Sequence, residues 1–247
     1  MTDTINRAIT LLRHIANEGA GGARLVDLSR RAGLPHSTTR RILKSLIRER
    51  MVIQSEATRR YRLGHLTHEI GLASPNYYAD LIDVCRPYLH RLVTETADNA
   101  FLLTKSGYEA LCLDRIEGKH LIKTVVLRVG GRRPLGVGPA GLALLADMDD
   151  SEFRVFLQHQ RATLTDFRAK ETQLRRLIDE TREKGYASGG EWADSGLDGV
   201  GVAFSTPNKV RTAVSIIGLK ERMDPERISY IASLVKHAAK ELEQTFR

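Results

Sequence analysis

The stretch LSRRAGLPHSTTRRIL, which spans Leu28 to Leu43, decides the fold of the N-terminal part of the chain. Apolar residues recur at helical spacing on both sides of a Gly-Leu-Pro turn. Glycine permits a sharp turn between two helices, and Ser29 is small enough for the helices to approach closely. The pattern predicts a helix over residues 25–32, a tight turn, and a second helix over residues 36–49. The apolar residues expected to lock the two helices together are Leu28, Leu34, Ile42, Leu43 and Leu46.

The outward face of the second helix carries hydroxyl and cationic side chains, which suit contacts with DNA. Arginine reads guanine edges, and serine or threonine reaches phosphates or bases. Residues 51–62 follow as a predicted hairpin with a basic second strand, which would lie beside the DNA backbone as a wing. The alternative is a solvated basic face with no partner. The candidate DNA-binding residues are Arg24, His36, Ser37, Thr38, Arg40, Arg41, Lys44, Arg59 and Arg60.

The positive charge of the chain is confined to its first quarter. Residues 1–64 hold 13 lysines and arginines against 5 aspartates and glutamates, whereas residues 65–247 hold 25 of each kind. The formal net charge of +8 therefore belongs to the segment with the two predicted helices. This asymmetry is typical of a nucleic-acid-binding module joined to a neutral one. By itself it would also fit an anionic surface, but with the predicted pair of helices it favours double-stranded DNA as the partner of the N-terminal domain.

The composition indicates a globular protein of the cytoplasm. The chain has 247 residues, of which 42% are hydrophobic, enough for the core of one large domain or two modest ones. No apolar run reaches the about 18–20 residues of a membrane helix, and the N-terminus lacks the apolar region of a signal peptide. Cys85 and Cys112 stand in apolar segments, which predicts buried free thiols in a reducing compartment. We therefore expect a cytoplasmic protein with no membrane partner.

The rest of the chain predicts a connecting helix and a second domain. Residues 65–79 form the connector, between a DNA-binding domain at 1–64 and a second domain at 80–247. In that second domain, two groups of strand-like segments are separated and flanked by helices, which defines an α+β fold in two domains. Pro87 lies within a helical pattern and predicts a kink or a restart of that helix.

The segment LVDLSRRAGLPHSTTRRILKSLIRERMVIQSEATRRYRLG, residues 25–64, resembles the winged helix-turn-helix of the IclR family of bacterial transcriptional regulators. The blocks LDRIEG, VGGRRPLGVGPAGLALLA, REKGYA and GVGVAF follow in that family's order and spacing. The resemblance implies a GAF-like α/β effector-binding domain that takes a small acidic, often aromatic, metabolite. It also implies that the protein is a homodimer or a homotetramer. Such a regulator acts as a repressor or as an activator, and its binding to operator DNA responds to the effector. Neither a cofactor nor a catalytic residue is expected.

The stretch GVGPAG, residues 136–141, matches the G-x-G-x-x-G pattern of dinucleotide-binding turns. That pattern follows directly on a buried strand and needs an acidic residue ending a second strand about 20 residues later. Here the residues RRP precede the glycines and no such acidic strand follows, which disfavours a dinucleotide site. A helix does follow, and the N–H groups at its N-terminus favour an anionic ligand such as a carboxylate. Pro139 has no N–H, which leaves Ala140 and Gly141 as the expected donors.

By the same resemblance, the ligand pocket also draws on residues 189–191, 197–201 and 215–217. Glycine stands here at position 189, where an acid is usual, and at position 199, where a cysteine is common, and isoleucine replaces a serine at position 217. These departures predict a less polar and roomier pocket, and a larger ligand such as an aromatic or medium-chain acid. The candidate effector-binding residues are Leu127, Gly138, Pro139, Ala140, Gly141, Gly189, Gly190, Glu191, Leu197, Gly199, Ser215 and Ile217.

Other interpretations of the C-terminal domain stay open. The glycines of GVGPAG would also serve close packing alone. Arg128, Arg132 and Arg133 could attract an anionic ligand to the pocket mouth or belong to a solvated turn. An alternative of a different class is an enzyme that uses the C-terminal domain and is anchored by the basic segment, although the sequence shows no complete set of catalytic residues. His65 and His68 could form part of a metal site, but no further metal ligands lie near them in the sequence. A third alternative is a constitutive DNA-binding protein without an effector.

Overall fold

A computed structural model describes residues 2–73, 78–119, 127–161, 167–189, 196–206 and 210–246. The chain divides into two compact units, residues 1–77 and residues 78–247. The connector expected at residues 65–79 therefore falls mostly within the first unit. Hydrophobic clusters are confined to one unit or the other, so each unit has its own core.

The N-terminal unit is a helix-turn-helix with a two-stranded wing. Its elements are α1 (Thr2–Glu18), α2 (Leu25–Ala32), α3 (His36–Arg48), the antiparallel strands β1 (Val52–Gln54) and β2 (Tyr61–Leu63), and α4 (His65–Ala73). Leu11, Ile15, Leu28, Leu43 and Val52 form its most deeply buried core. The structure confirms the predicted pair of helices and the hairpin that follows them.

The turn between α2 and α3 depends on Gly33. Its φ of 61° lies in the left-handed region, which glycine adopts without the steric cost that a side chain brings. The N–H of Gly33 donates to the carbonyl of Arg30 (3.2 Å), and the N–H of Leu34 donates to the carbonyl of Ser29 (3.0 Å). These two bonds end α2. Ser29 is buried, as close packing of the two helices requires.

The C-terminal unit is built on an antiparallel sheet. Its described strands lie in the order β5-β4-β3-β8-β7-β6. They are β3 (Asn99–Ser106), β4 (Glu109–Ile116), β5 (Arg132–Pro134), β6 (Ala187–Ser188), β7 (Leu197–Ser205) and β8 (Arg211–Leu219). The helices are α5 (Ala79–Thr96), α6 (Gly138–Ala146), α7 (Asp150–Arg161), α8 (Phe167–Lys184) and α9 (Pro225–Thr245). The predicted α+β class in two domains is confirmed.

Helices cover both faces of this sheet. Phe101 and Leu103 of β3 belong to a buried cluster with residues of α6, α7 and α8. Leu102, between them in sequence, belongs to the cluster that α5 and α9 complete through Leu89 and Val235. Successive residues of β3 thus alternate between two cores, as the two-residue period of a strand requires.

Helix α5 runs through Pro87 as one element, so the predicted restart does not occur. Proline removes one N–H donor and crowds the carbonyl four residues earlier, that of Asp83. Both Pro87 and Asp83 are exposed, so water can bond to that carbonyl. Cys85 and Leu89 are buried on the opposite side, and their packing stabilises the helix across the proline.

Both cysteines are free and buried, as the sequence predicts. Cys85 and Cys112 belong to clusters on opposite faces of the sheet, so they do not pair. Burial, with the nearby carboxylate of Asp114 as a smaller cause, raises the pKa of each thiol to about 12. Because the thiolate is the reactive form, both residues act as small apolar core residues at neutral pH.

Candidate DNA-binding surface and effector pocket

Helix α3 presents a polar and cationic face away from the core. Its buried residues are Thr39, Ile42, Leu43 and Leu46. The other face carries the candidate DNA contacts, and all of them are exposed except Thr38, which is half-buried: His36, Ser37, Thr38, Arg40, Arg41 and Lys44. A helix with this division packs on its unit through one side and leaves the other side for a major groove.

Ion pairing separates the cations of the N-terminal unit into two groups. Arg48, in the last turn of α3, pairs with Glu49 (3.2 Å), and carboxylates likewise hold several other arginines of this unit. Within the described ranges, Arg40, Arg41 and Lys44 have no carboxylate partner. Their charge is not neutralised locally, so it remains available to phosphates and base edges.

Hydrogen bonds close the tip of the wing and present Arg59. The N–H of Arg59 donates to the carbonyl of Ser55 (2.8 Å), and the N–H of Ser55 donates to the carbonyl of Arg60 (2.9 Å). The side-chain amide of Gln54 donates to the carbonyl of Arg59 (3.0 Å). Arg59 has a φ of 55° and an exposed side chain. A left-handed backbone is rare for a residue other than glycine, so the tip holds Arg59 in a defined conformation.

Arg60 makes a structural contact that the sequence did not reveal. Its guanidinium donates to the carbonyl of Gly22 (2.8 Å), and the residue is half-buried. A side chain at Gly22 would place its Cβ 2.9 Å from the carbonyl oxygen of Tyr61. The hydrogen bond from Arg60 thus connects the wing to the turn after α1, which approaches β2 closely at Gly22. Arg24, at the start of α2, is exposed like Arg59.

A cavity in the C-terminal unit lies at the start of α6. The described residues line a partly open space of about 40 Å³ there, which holds a few water molecules. The lining is largely apolar, and the expected larger size of the pocket stays a prediction. The candidate effector-binding residues that line it are Leu127, Gly138, Pro139, Ala140, Gly141, Leu197, Ser215 and Ile217.

The first turn of α6 supplies main-chain N–H groups to this cavity. Gly136 and Gly138 have φ values of 85° and 69°, which favour glycine at both positions. The helix begins at Gly138 with Pro139 in its first turn. Ala140 and Gly141, the donors that the sequence predicts, follow Pro139 in the same stretch of the helix. They stay the proposed donors to an anionic ligand.

Ser215 supplies a buried hydroxyl to the cavity. The residue lies on β8 and is fully buried, and its Oγ has no hydrogen-bond partner among the described residues. A buried hydroxyl without a partner is destabilising, and few occur in native proteins. A ligand with a polar group at this point would satisfy it.

Two charged side chains also line the cavity, Arg133 on β5 and Asp198 on β7. Oδ1 of Asp198 accepts hydrogen bonds from the N–H groups of Gly199 (2.6 Å) and Gly189 (3.1 Å). These bonds fix the carboxylate to the main chain of β7 and of the segment after β6. Arg133 brings a positive charge to the cavity wall, which suits an anionic ligand.

Two of the predicted glycines, Gly189 and Gly199, do not line the cavity. Gly189 contacts Asp198 through its N–H. A Cβ at Gly199 would lie 2.0 Å from the carbonyl oxygen of Ile216, so this glycine permits the close approach of β7 and β8. The predicted contacts at positions 190 and 191, Gly190 and Glu191, lie outside the described residues.

Sequence reasoning missed several lining residues, namely Phe101, Leu103 and Val137. Apolar side chains carry no chemical signal in a sequence, and strand register alone reveals that Phe101 lies opposite Ser215. Gly201 ends the predicted pocket segment 197–201, and a Cβ there would lie 2.6 Å from the main chain of Pro139. The absence of a side chain at Gly201 lets the N-terminus of α6 lie directly on β7.

The part of the chain that the structure describes contains no cluster of three or more potential metal ligands. His65 and His68 are both exposed on α4. None of the helices in the described ranges is long and apolar enough to cross a lipid bilayer.

A winged helix-turn-helix with a cationic recognition helix, followed by an α/β unit with an internal cavity, defines a two-domain DNA-binding transcriptional regulator. Residues 4–56 match the IclR helix-turn-helix domain, and residues 77–244 match the family described as bacterial transcriptional regulator IclR C-terminal. The chain belongs to the IclR family. It is accordingly a transcriptional regulator and not an enzyme.

Similar proteins and similar solved structures match nearly the whole chain. The chain is 27% identical to the transcriptional repressor IclR of Escherichia coli, over 97% of this chain and 88% of that one. It is 28% identical to the repressor AllR of Escherichia coli, over 96% and 88%. An IclR-family regulator from Brucella abortus shares the fold with a TM-score of 0.81 at 17% identity, over 100% and 94%. An IclR homologue from Microbacterium hydrocarbonoxydans, complexed with 4-hydroxybenzoate, has a TM-score of 0.68 at 22% identity over 99% of both chains.

Proposed function

We propose that the protein binds a small organic acid in the cavity at the start of α6, and that this effector changes its affinity for operator DNA. The observation that carries the proposal is the buried hydroxyl of Ser215, which lines the cavity without a partner among the described residues. The N–H groups of Ala140 and Gly141 lie at the positive end of α6 and favour a carboxylate. The apolar lining suits the hydrocarbon part of such an acid.

The ligand class that we propose is an aromatic or medium-chain acid. The apolar lining supports it, and so does the homologue from Microbacterium hydrocarbonoxydans that is complexed with 4-hydroxybenzoate. The described residues line a space of about 40 Å³. We propose that lining side chains shift when such an acid binds, as side chains commonly do.

Thermal unfolding with a panel of acids tests the proposed ligand. We expect stabilisation by benzoate, 4-hydroxybenzoate or hexanoate, because a ligand at 100 times its Kd stabilises the folded protein by about 2.7 kcal/mol. Stabilisation by two- and three-carbon acids alone would overturn the proposed ligand size. No stabilisation by any acid would favour a constitutive DNA-binding protein. Ser215→Ala is the control variant: it should fold as stably as the parent protein and lose the response.

The proposed DNA contacts follow from the exposed cations of the N-terminal unit. Helix α3 would lie in the major groove with His36, Ser37, Arg40 and Arg41 toward base edges, while Arg59 on the wing would contact the backbone. Further DNA contacts beside this set would come from Thr38, Lys44 and Arg24. Repression is the proposed sign of regulation, since the relatives IclR and AllR are repressors, and the cytoplasm is the proposed location.

A homodimer or homotetramer is the proposed active form. Helix α4 is rich in apolar residues, yet none of its residues is buried, and Leu72 is 73% exposed. Ile5 on α1 is 64% exposed, and Ile9 lies one turn further along the same helix and is also exposed. Apolar side chains in such numbers favour an interface between copies. A dimer would also match an operator with two half-sites.

A further inference from the structure

Arg115, in the motif LDRIEG, does not line the cavity, yet it contacts two residues that do. Its Nη1 donates a hydrogen bond to the main-chain carbonyl of Leu127 (3.2 Å). Its guanidinium carbon lies 6.0 Å from the centroid of the Phe101 ring. Both Leu127 and Phe101 line the cavity. One side chain thus reaches two separate parts of the cavity wall.

Several contacts hold the Arg115 side chain in place. It is only 17% exposed, and its guanidinium pairs with Glu117 at the end of the same motif. The main chain is fixed as well, because the N–H of Arg115 donates to Oδ1 of Asp114 (2.9 Å). Arg115 and Phe101 are also opposite each other in the register of β3 and β4, so their side chains share one face of the sheet.

We propose that Arg115 is a positioning residue of the effector pocket, which sets ligand affinity by holding the Leu127 main chain and the Phe101 ring. A hydrogen bond from a guanidinium is stronger than one between neutral groups, and a cation over an aromatic face restricts the ring. The acid therefore meets a wall whose shape depends on a residue that it does not touch. This inference rests on the proposed function of the cavity.

Arg91 provides a matched control on the opposite face of the sheet. Its guanidinium carbon lies 5.1 Å from the centroid of the Tyr88 ring on the same helix, α5, and its guanidinium pairs with Glu241 of α9. None of these three residues lines the cavity. Arg91→Gln and Arg115→Gln each remove an ion pair and a contact between a cation and a ring, and only the second change also removes a hydrogen bond to the cavity wall.

Calorimetric titration of 4-hydroxybenzoate and hexanoate compares the two variants with the parent protein. We expect Arg115→Gln to raise the Kd by about 10-fold, the effect of losing one charge-assisted hydrogen bond. Arg91→Gln should change it by less than about 2-fold, while both variants lower the unfolding temperature similarly. Arg115→Lys should recover part of the affinity, because an ammonium can still donate to Leu127 but lacks the planar fork. An unchanged Kd for Arg115→Gln, or an equal loss for Arg91→Gln, would overturn the proposal.

Hydrogen–deuterium exchange gives a readout that needs no ligand. We expect faster exchange in the peptide covering residues 127–134 for Arg115→Gln, because the Leu127 carbonyl loses its partner, and parental exchange for Arg91→Gln. If the parent protein binds neither acid, the proposed function fails for these acids, whereas faster exchange still supports the positioning role. Unchanged exchange in Arg115→Gln contradicts the positioning role whatever the acids do.

Discussion

At the scale of single residues, the arginines of the N-terminal unit differ in what they contact. Arg41 is exposed on α3 without a carboxylate partner among the described residues. We expect Arg41→Ala to weaken operator binding by about 1–3 kcal/mol if Arg41 reads a base. A gel-shift titration measures this change, and an unchanged affinity would remove Arg41 from the set of reading residues.

Arg60→Ala is the matched control for this substitution. Its guanidinium bonds to the Gly22 carbonyl, so we expect a loss of stability of about 1 kcal/mol. Operator affinity should stay close to that of the parent protein at temperatures where both are folded. An affinity loss as large as that of Arg41→Ala, with unchanged stability, would instead support the sequence-based prediction that Arg60 contacts DNA.

Gly201 carries a second prediction at this scale. A Cβ there would lie 2.6 Å from the main chain of Pro139, so Gly201→Ala pushes β7 away from the start of α6. We expect a destabilisation of about 1–3 kcal/mol in urea unfolding, as for overpacked cores. Gly71→Ala on α4 is the control, since a Cβ there meets nothing within 4 Å. Equal stability of Gly201→Ala and the parent protein would contradict this account of the close approach.

At the scale of elements, the sequence predicts the helix-turn-helix well because its signals are local. The turn glycine, Gly33, and the apolar residues of α2 and α3 stand within a few positions of one another. The start of α6 is less predictable, because it depends on the close approach of Gly201 to the main chain of Pro139. Such boundaries depend on tertiary packing, which no local pattern records.

The cavity is harder to predict because its wall comes from distant parts of the chain. Phe101 lies opposite Ser215 only through the pairing of β3 with β8. The family resemblance marked Ser215 and the start of α6, but Phe101 is an ordinary apolar strand residue until the register is known. Arg60 shows the same limit, since its contact with Gly22 joins residues far apart in sequence.

Helices α1 and α4 carry a prediction about assembly. Their exposed apolar residues, among them Ile9 and Leu72, would be buried between two copies of the protein. We therefore expect Ile9→Asp to lower the molecular mass seen by analytical ultracentrifugation toward that of a monomer. Val155→Asp, at an exposed apolar residue of α7, is the control in the other unit. Should Ile9→Asp assemble like the parent protein while Val155→Asp dissociates, the interface lies in the C-terminal unit.

At the scale of the whole molecule, the charge is divided between a basic DNA-binding unit and a neutral remainder. Binding to operator DNA should therefore depend steeply on salt, because cations that contact phosphates release counterions. For about 6–10 phosphate contacts, affinity falls by about 10³–10⁵ between 50 and 200 mM salt. Fluorescence anisotropy across that range measures the slope, and a slope near zero would contradict phosphate contacts by this unit.

The most direct test of the central claim combines the acid with the DNA. The operator is first selected from a random DNA library by the protein itself, and its Kd is then measured by anisotropy with and without the acid that stabilises the protein. The account predicts a change in Kd of about 5–150-fold, the usual range of coupling between two sites, and no change for Ser215→Ala. An acid that stabilises the protein and leaves the operator Kd unchanged would contradict the claim that this cavity controls DNA binding.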